Sequence, residues 1–172
     1  MATTYALSGK VQISMQAGLS KTDGTANVGT FDVTGSAGRF SWTLADGTGA
    51  SQANDLYSAQ LSIAASSAAS LDLNAAAGTP TENVWGVDIT WTHIKAIFIQ
   101  AAAANGDTIT VGGGSNNIIA TNEPTPAGGA IALFAPVAGW AITAATADIL
   151  TITNNDSGDT AIVDVFLIGV HA

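Results

Sequence analysis

The chain has 172 residues, enough to bury the core of one domain, and 47% of them are hydrophobic while only 10% are charged. Its net charge is −9, with Lys10, Lys21, Arg39 and Lys95 as the only cations, so it lacks the clustered Lys and Arg of a nucleic-acid partner and the basic amphipathic stretch of a membrane-surface protein. Cysteine is absent, which excludes disulfides and Cys metal sites, and no apolar run reaches the ~18 residues that a spanning helix needs.

Hydrophobic alternation dominates from the start. Over residues 5–19 the odd positions include Tyr5, Leu7, Val11, Ile13, Met15, Ala17 and Leu19, and the even positions from Ser8 are small or polar. Period two means an extended, half-buried segment. At ~3.3 Å per residue it reaches ~50 Å, longer than most strands of a compact domain. It is either two strands broken near Gly9 or an arm that leaves the domain. Residues 20–27 and 34–38 read as loose joints. Residues 1–36 are therefore expected to form an extended N-terminal arm or β-hairpin, with Val11, Ile13, Met15 and Leu19 as its contacts. Residues 37–172 are the expected folded domain. No charged region precedes an apolar core in the first ten residues, so no signal peptide is expected.

Further strands follow in order. Phe31 and Val33 flank Asp32. Phe40, Trp42 and Leu44 alternate with Ser41 and Thr43. Tyr57, Ala59, Leu61 and Ile63 alternate with Ser58, Gln60 and Ser62. Leu71 and Leu73 flank Asp72. Trp85, Val87, Ile89 and Trp91 alternate with Gly86, Asp88 and Thr90, and this parity assigns Trp42, Trp85 and Trp91 to the core. The phase breaks at Thr92 and His93, which predicts a bulge. Residues 94–99 are nearly all apolar on both faces, as a central strand is. Ile109 and Val111, residues 131–134, Leu150 and Ile152, and residues 161–169 complete the set.

Turn chemistry punctuates these runs at Asp46-Gly47-Thr48-Gly49, Asn105-Gly106-Asp107, residues 112–117 and residues 154–158. Pro124 and Pro126 mark a loop, and the Ser-rich residues 64–70 read as another. No segment keeps a helical period. Short strands with turn signals every ~8–12 residues predict an all-β protein, an antiparallel β-sandwich of jelly-roll-like form with an extended N-terminal arm.

The inventory for catalysis is thin. His93 beside Trp91 reads as structural, and His171 as a frayed residue near the end. No Gly-x-Ser-x-Gly elbow occurs, and nothing in the sequence pairs Asp88, Asp148 or Asp164 as an acid and base. Residues 154–159 hold oxygen ligands near a glycine but lack calcium-loop spacing, so a hairpin turn between Ile152 and Ala161 is the favoured reading. No catalytic, cofactor-binding or metal residue is assigned, and the chain reads as non-enzymatic. Trp140, following residues 136–139, lies in a predicted loop and is the best candidate for an exposed contact.

Several stretches together carry a resemblance. ADGTGASQANDLY at 45–57, SLDL at 70–73, IKAI at 94–97, VGG at 111–113, ADILTITN at 147–154 and residues 163–169 resemble small virion structural proteins of tailed bacteriophages and prophages. The likeness covers about residues 40–170, and the order of motifs carries more of it than any one motif. It implies a capsid-associated or otherwise virion-associated protein, and the expected location is the virion, on the capsid exterior, after synthesis in the bacterial host cytoplasm. Its implied partners are its own copies and a major capsid protein or other virion protein. It carries over no catalytic or ligand-binding residue. The leading expectation is a decoration or cement protein that stabilises the head, and the acidic balance suits the outside of a shell. The alternatives are a tail, fibre-base or connector component, and, from another class, a carbohydrate-binding or adhesin-type β-sandwich module.

Residues 161–169 bear on the expected contact. The odd positions Ala161, Val163, Val165 and Leu167 are apolar and belong to the sandwich core. The even positions Ile162, Phe166 and Ile168 surround Asp164 on a face that a solvated strand would fill with polar residues. They are the expected subunit interface, with cover by the N-terminal arm as the runner-up. With so few charges on the chain, self-association at micromolar concentration is the expected outcome. Light scattering coupled to size exclusion checks it, and a clean species of 17.1 kDa would count against it.

Overall fold

The computed structural model describes residues 9–14, 17–23, 26–33, 39–74 and 81–171, with side chains over 42–74 and 81–171. Every element among the described residues is a β-strand. Nine strands build the body, eight of them in two runs of four. One sheet holds, in order, β11 (Ala130–Phe134), β8 (Trp91–Ala101), β14 (Ala161–His171) and β6 (Asp55–Ile63), with the short β12 (Trp140–Ala141) also on β8. The other holds β10 (Asn122–Thr125), β9 (Ile109–Gly112), β13 (Ile149–Asn154) and β7 (Ala68–Asp72). Every pairing in both sheets is antiparallel.

In chain order, β6 to β7, β8 to β9, β10 to β11 and β13 to β14 each step from one sheet to the other. This is jelly-roll connectivity, in which two interleaved sheets form one sandwich. The inner parities supply the core. Val163, Val165 and Leu167 of β14 lie opposite Ala101, Ile99 and Ile97 of β8, and Leu150 and Ile152 of β13 face them across the sandwich with Ile109 and Val111 of β9. All ten are at most 2% exposed. The predicted bulge falls at Thr92, where the β8–β14 register slips, and a second slip falls at Lys95.

The segment before the body is also stranded. β1 (Gly9–Ser14) pairs antiparallel with β4 (Arg39–Asp46), and β2 (Ala17–Asp23) with β3 (Ala26–Val33), so the two pairs nest in sequence. Most of residues 20–27, read as a loose joint, is thus strand. β5 (Gln52–Ala53) runs parallel to the end of β4. Leu44 and Ala53 from this segment close a second small core with Ala96 and Ile168, and Phe134 packs against it.

Other expectations are corrected. Trp85 is 63% exposed and Trp42 is 37% exposed, whereas Trp91 is fully buried. Residues 82–88 are not a strand that continues into β8. Asn83 reverses the chain: its Oδ1 accepts from the N–H groups of Trp85 (2.9 Å) and Val87 (3.1 Å), and the Gly86 N–H donates to its carbonyl (3.0 Å). Gly86 sits at φ 72°, where a side chain would be strained. The turn throws Trp85 outward. Pro124 lies within β10, because an edge strand tolerates a residue without an N–H. β7 begins inside the Ser-rich 64–70 stretch, at Ala68. Residues 155–160 are a crossing between sheets and not a hairpin. His171 does not fray: its N–H donates to Asn54 Oδ1 (2.7 Å) and its carbonyl accepts from Asn54 Nδ2 (3.3 Å).

Gly169 sits where β14 passes the Trp91 indole so closely that a Cβ would overlap the ring. With no room to relax, Gly169→Ala should destabilise the fold by about 1–3 kcal/mol, the usual range for overpacking. Urea unfolding followed by tryptophan fluorescence measures this, and an unchanged midpoint would mean the ring yields freely.

Candidate functional site

Three surface regions follow from this scaffold. The first is the outer face of the β11–β8–β14–β6 sheet. The register sets Phe166 opposite Phe98 on one side and Ser58 on the other, with Ala132 beyond Phe98. The row above holds Asp164 between Gln100 and Gln60, and Gln60 Nε2 donates to Asp164 Oδ1 (2.9 Å). The row below holds Ile168 and Ala96 under Leu44 and Ala53. The face therefore runs from covered to open: Ile168 is 4% exposed, Phe98 37% and Phe166 38%.

Of the expected interface residues, Phe166 is open and Ile162 is half-buried. Ile168 must be corrected, because the chain's own β4–β5 segment covers it and leaves nothing for a neighbour to touch. Val11 and Ile13 lie in β1 and Leu19 in β2, where the backbone pairs within the chain, opposite Trp42, Phe40 and Phe31. Their side chains, and Met15 entirely, lie outside the described residues.

The second region is the open side of the sandwich between β10 and β11. It holds an apolar cavity of about 330 Å³ lined by Ile97, Ile118, Ile119, Ile131, Leu133 and Trp140, with Thr121 and Glu123 as its polar members. Such a size and lining fit a small apolar group. Trp140 is 36% exposed and belongs to β12 and not to a loop, opposite Ile94. A tight reversal over 135–139 delivers it there. The Ala135 N–H donates to the Lys95 carbonyl (3.0 Å), and the Gly139 N–H to that of Ala135 (2.8 Å). Lys95, at the register slip of β8, is 3% exposed, and its Nζ donates to the carbonyls of Val137 (2.9 Å) and Ala138 (3.0 Å). Burial pushes its pKa below the ordinary 10.5.

The third region is a polar end around Asp55, which is 6% exposed. Its Oδ2 accepts from the Trp91 indole N–H (2.8 Å), and its Oδ1 from Asn83 Nδ2 (2.9 Å) and the Leu56 N–H (2.8 Å). His171 Nδ1 lies 3.5 Å from Asp55 Oδ2, and its Nε2 lies 3.2 Å from Thr90 Oγ1. A cavity of about 320 Å³ opens here, with Trp85 and Val87 among its walls. A carboxylate, an imidazole and a hydroxyl lie in sequence, but the Asp55 oxygen nearest the ring already accepts from Trp91. The geometry pins the last strand and orients the ring.

No protein-family model matches this chain, and no curated protein matches it.

Reasoning from sequence missed the Asp55 cluster, the outward Trp85 and the Phe98–Phe166 pair. The Asn83–Gly86 spacing was the available signal for the turn. Phe98 was hidden inside a run apolar on both faces.

The Lys95 environment has a pH signature. Between its lowered folded value and 10.5, the unfolded chain binds more protons than the folded one, so stability rises with pH across that window. The stability of the wild type relative to Lys95→Met should therefore climb as the pH rises towards 10.5, read by urea unfolding at each pH. A flat difference would mean that Lys95 keeps its ordinary proton affinity.

Proposed function

We propose that this chain is a non-enzymatic structural protein of a tailed-phage virion, which decorates the capsid exterior and contacts its own copies and the shell. The observation that carries this reading is the Phe98–Phe166 pair, large apolar groups open to solvent at the centre of a sheet face. A sheet face that leaves two phenylalanines more than a third exposed offers apolar surface to a partner. The jelly roll is shared by capsid, lectin and cupin proteins, so fold alone does not choose among them. The net charge of −9 suits an outer surface, away from packaged nucleic acid.

The carbohydrate-binding reading is favoured by one observation, the partly exposed Trp140 on its apolar cavity. Stacking of a sugar ring on that indole is its physical basis.

Gradient-purified particles of the encoding phage should contain the chain at stoichiometric copy number. Phe166→Glu should lower its occupancy roughly tenfold or more, from the loss of ~1.5–3 kcal/mol of apolar burial, with an unchanged β spectrum. Particles that lack the chain would overturn the reading, and glycan binding lost on Trp140→Ala would replace it with the carbohydrate module.

A further inference from the structure

We infer that the free edge of β11 is the docking strand for a second copy of this chain, paired antiparallel about a two-fold axis at Ile131. The direction of the backbone groups fixes the geometry. The Ala101 N–H donates to the Gly129 carbonyl (2.9 Å) and the Ala135 N–H to the Lys95 carbonyl (3.0 Å). With the β11–β8 register, Ile131 and Leu133 turn their N–H and C=O towards Ile99 and Ile97 of β8. Ala130 and Ala132 must then turn theirs away from the sheet. Neither has a hydrogen-bond partner on that side among the described residues.

The two outer edges on this side of the sandwich differ in kind. β10 reads Asn122-Glu123-Pro124-Thr125: a proline interrupts its donors, and Glu123 reaches the cavity between the sheets. Both features stop a strand from adding to an edge. β11 reads Ala130-Ile131-Ala132-Leu133-Phe134, with no charge and no proline. Its outward backbone groups carry only alanine side chains at 130 and 132, so a neighbouring strand meets no bulk.

A second copy satisfies this edge with its own groups. About an axis at Ile131, Ala130 of one copy faces Ala132 of the other, and each such pair exchanges two hydrogen bonds. Ile131 then meets its counterpart on the inner face, as a non-hydrogen-bonded pair with Cβ atoms about 4.5–5.5 Å apart. The apolar cavities beside β11, each lined in part by Ile131, then meet at the axis. An isologous contact of this kind closes on itself and leaves the Phe98–Phe166 face for another partner. The contact does not depend on the virion reading.

Size exclusion with light scattering at tens of micromolar should give the wild type twice 17.1 kDa. Ala132→Pro should give 17.1 kDa with an unchanged β spectrum, since the N–H it removes serves only the outer edge. Because the chain has no cysteine, Ile131→Cys reports the axis directly and should form an intermolecular disulfide under mild oxidation. Phe166→Glu should remain a dimer. A monomeric wild type, an Ala132→Pro dimer, or dissociation by Phe166→Glu alone would overturn the inference. If Ala132→Pro unfolds, failure of the Ile131→Cys cross-link overturns it instead.

Discussion

One hydrogen bond ties the polar end of the sandwich together, from the Trp91 indole to the buried Asp55 carboxylate. Trp91 opens β8 and Asp55 opens β6, and β14 runs between them, with Gly169 pressed on the indole. A fully buried indole needs an acceptor, and a buried carboxylate needs donors. Each answers the other. The remaining oxygen of Asp55 then holds Asn83, and Asn83 shapes the turn that presents Trp85. His171 is drawn to the same anchor, so the last strand ends in an ordered cluster.

The second constraint is the scarcity of charge. A sandwich normally separates an apolar interior from a charged exterior. Here serine, threonine, asparagine and alanine cover much of the outside, and the outer sheet face is partly roofed by the chain's own β4–β5 segment. The roof reaches Ile168 but not Phe98 or Phe166. The boundary between covered and open surface falls between adjacent rows of one sheet. That is why one apolar parity of β14 divides into a residue that belongs to the fold and a residue left exposed.

Much of the fold was legible because period two is a local signal. The odd residues of β14 and the alternation of β6 each declare an inward face, and the turn clusters between strands mark a sandwich. What failed was non-local. Trp85 has core parity, yet an asparagine side chain two positions earlier reverses the chain before the parity can act. Pro124 reads as a loop until β10 is known to be an edge. Ile168 and Phe166 share a parity and differ only in what another segment lays over them. Asp55 and His171 are 116 positions apart, and no spacing rule links them.

The position of β14 has a kinetic meaning. It lies between β6 and β8, and every residue of both precedes it in the chain. Ala161 must find Ile63, and Val163 must find Ala101, across long stretches of intervening sequence. Until they do, β6 and β8 have no central strand to join them, and their apolar inner faces stay without the keystone of the sheet. Contacts of such separation cost loop-closure entropy before they return any burial, so this topology folds slowly. A nascent chain carries its apolar strands and their unpaired edges through that whole interval, which is the condition under which such segments aggregate.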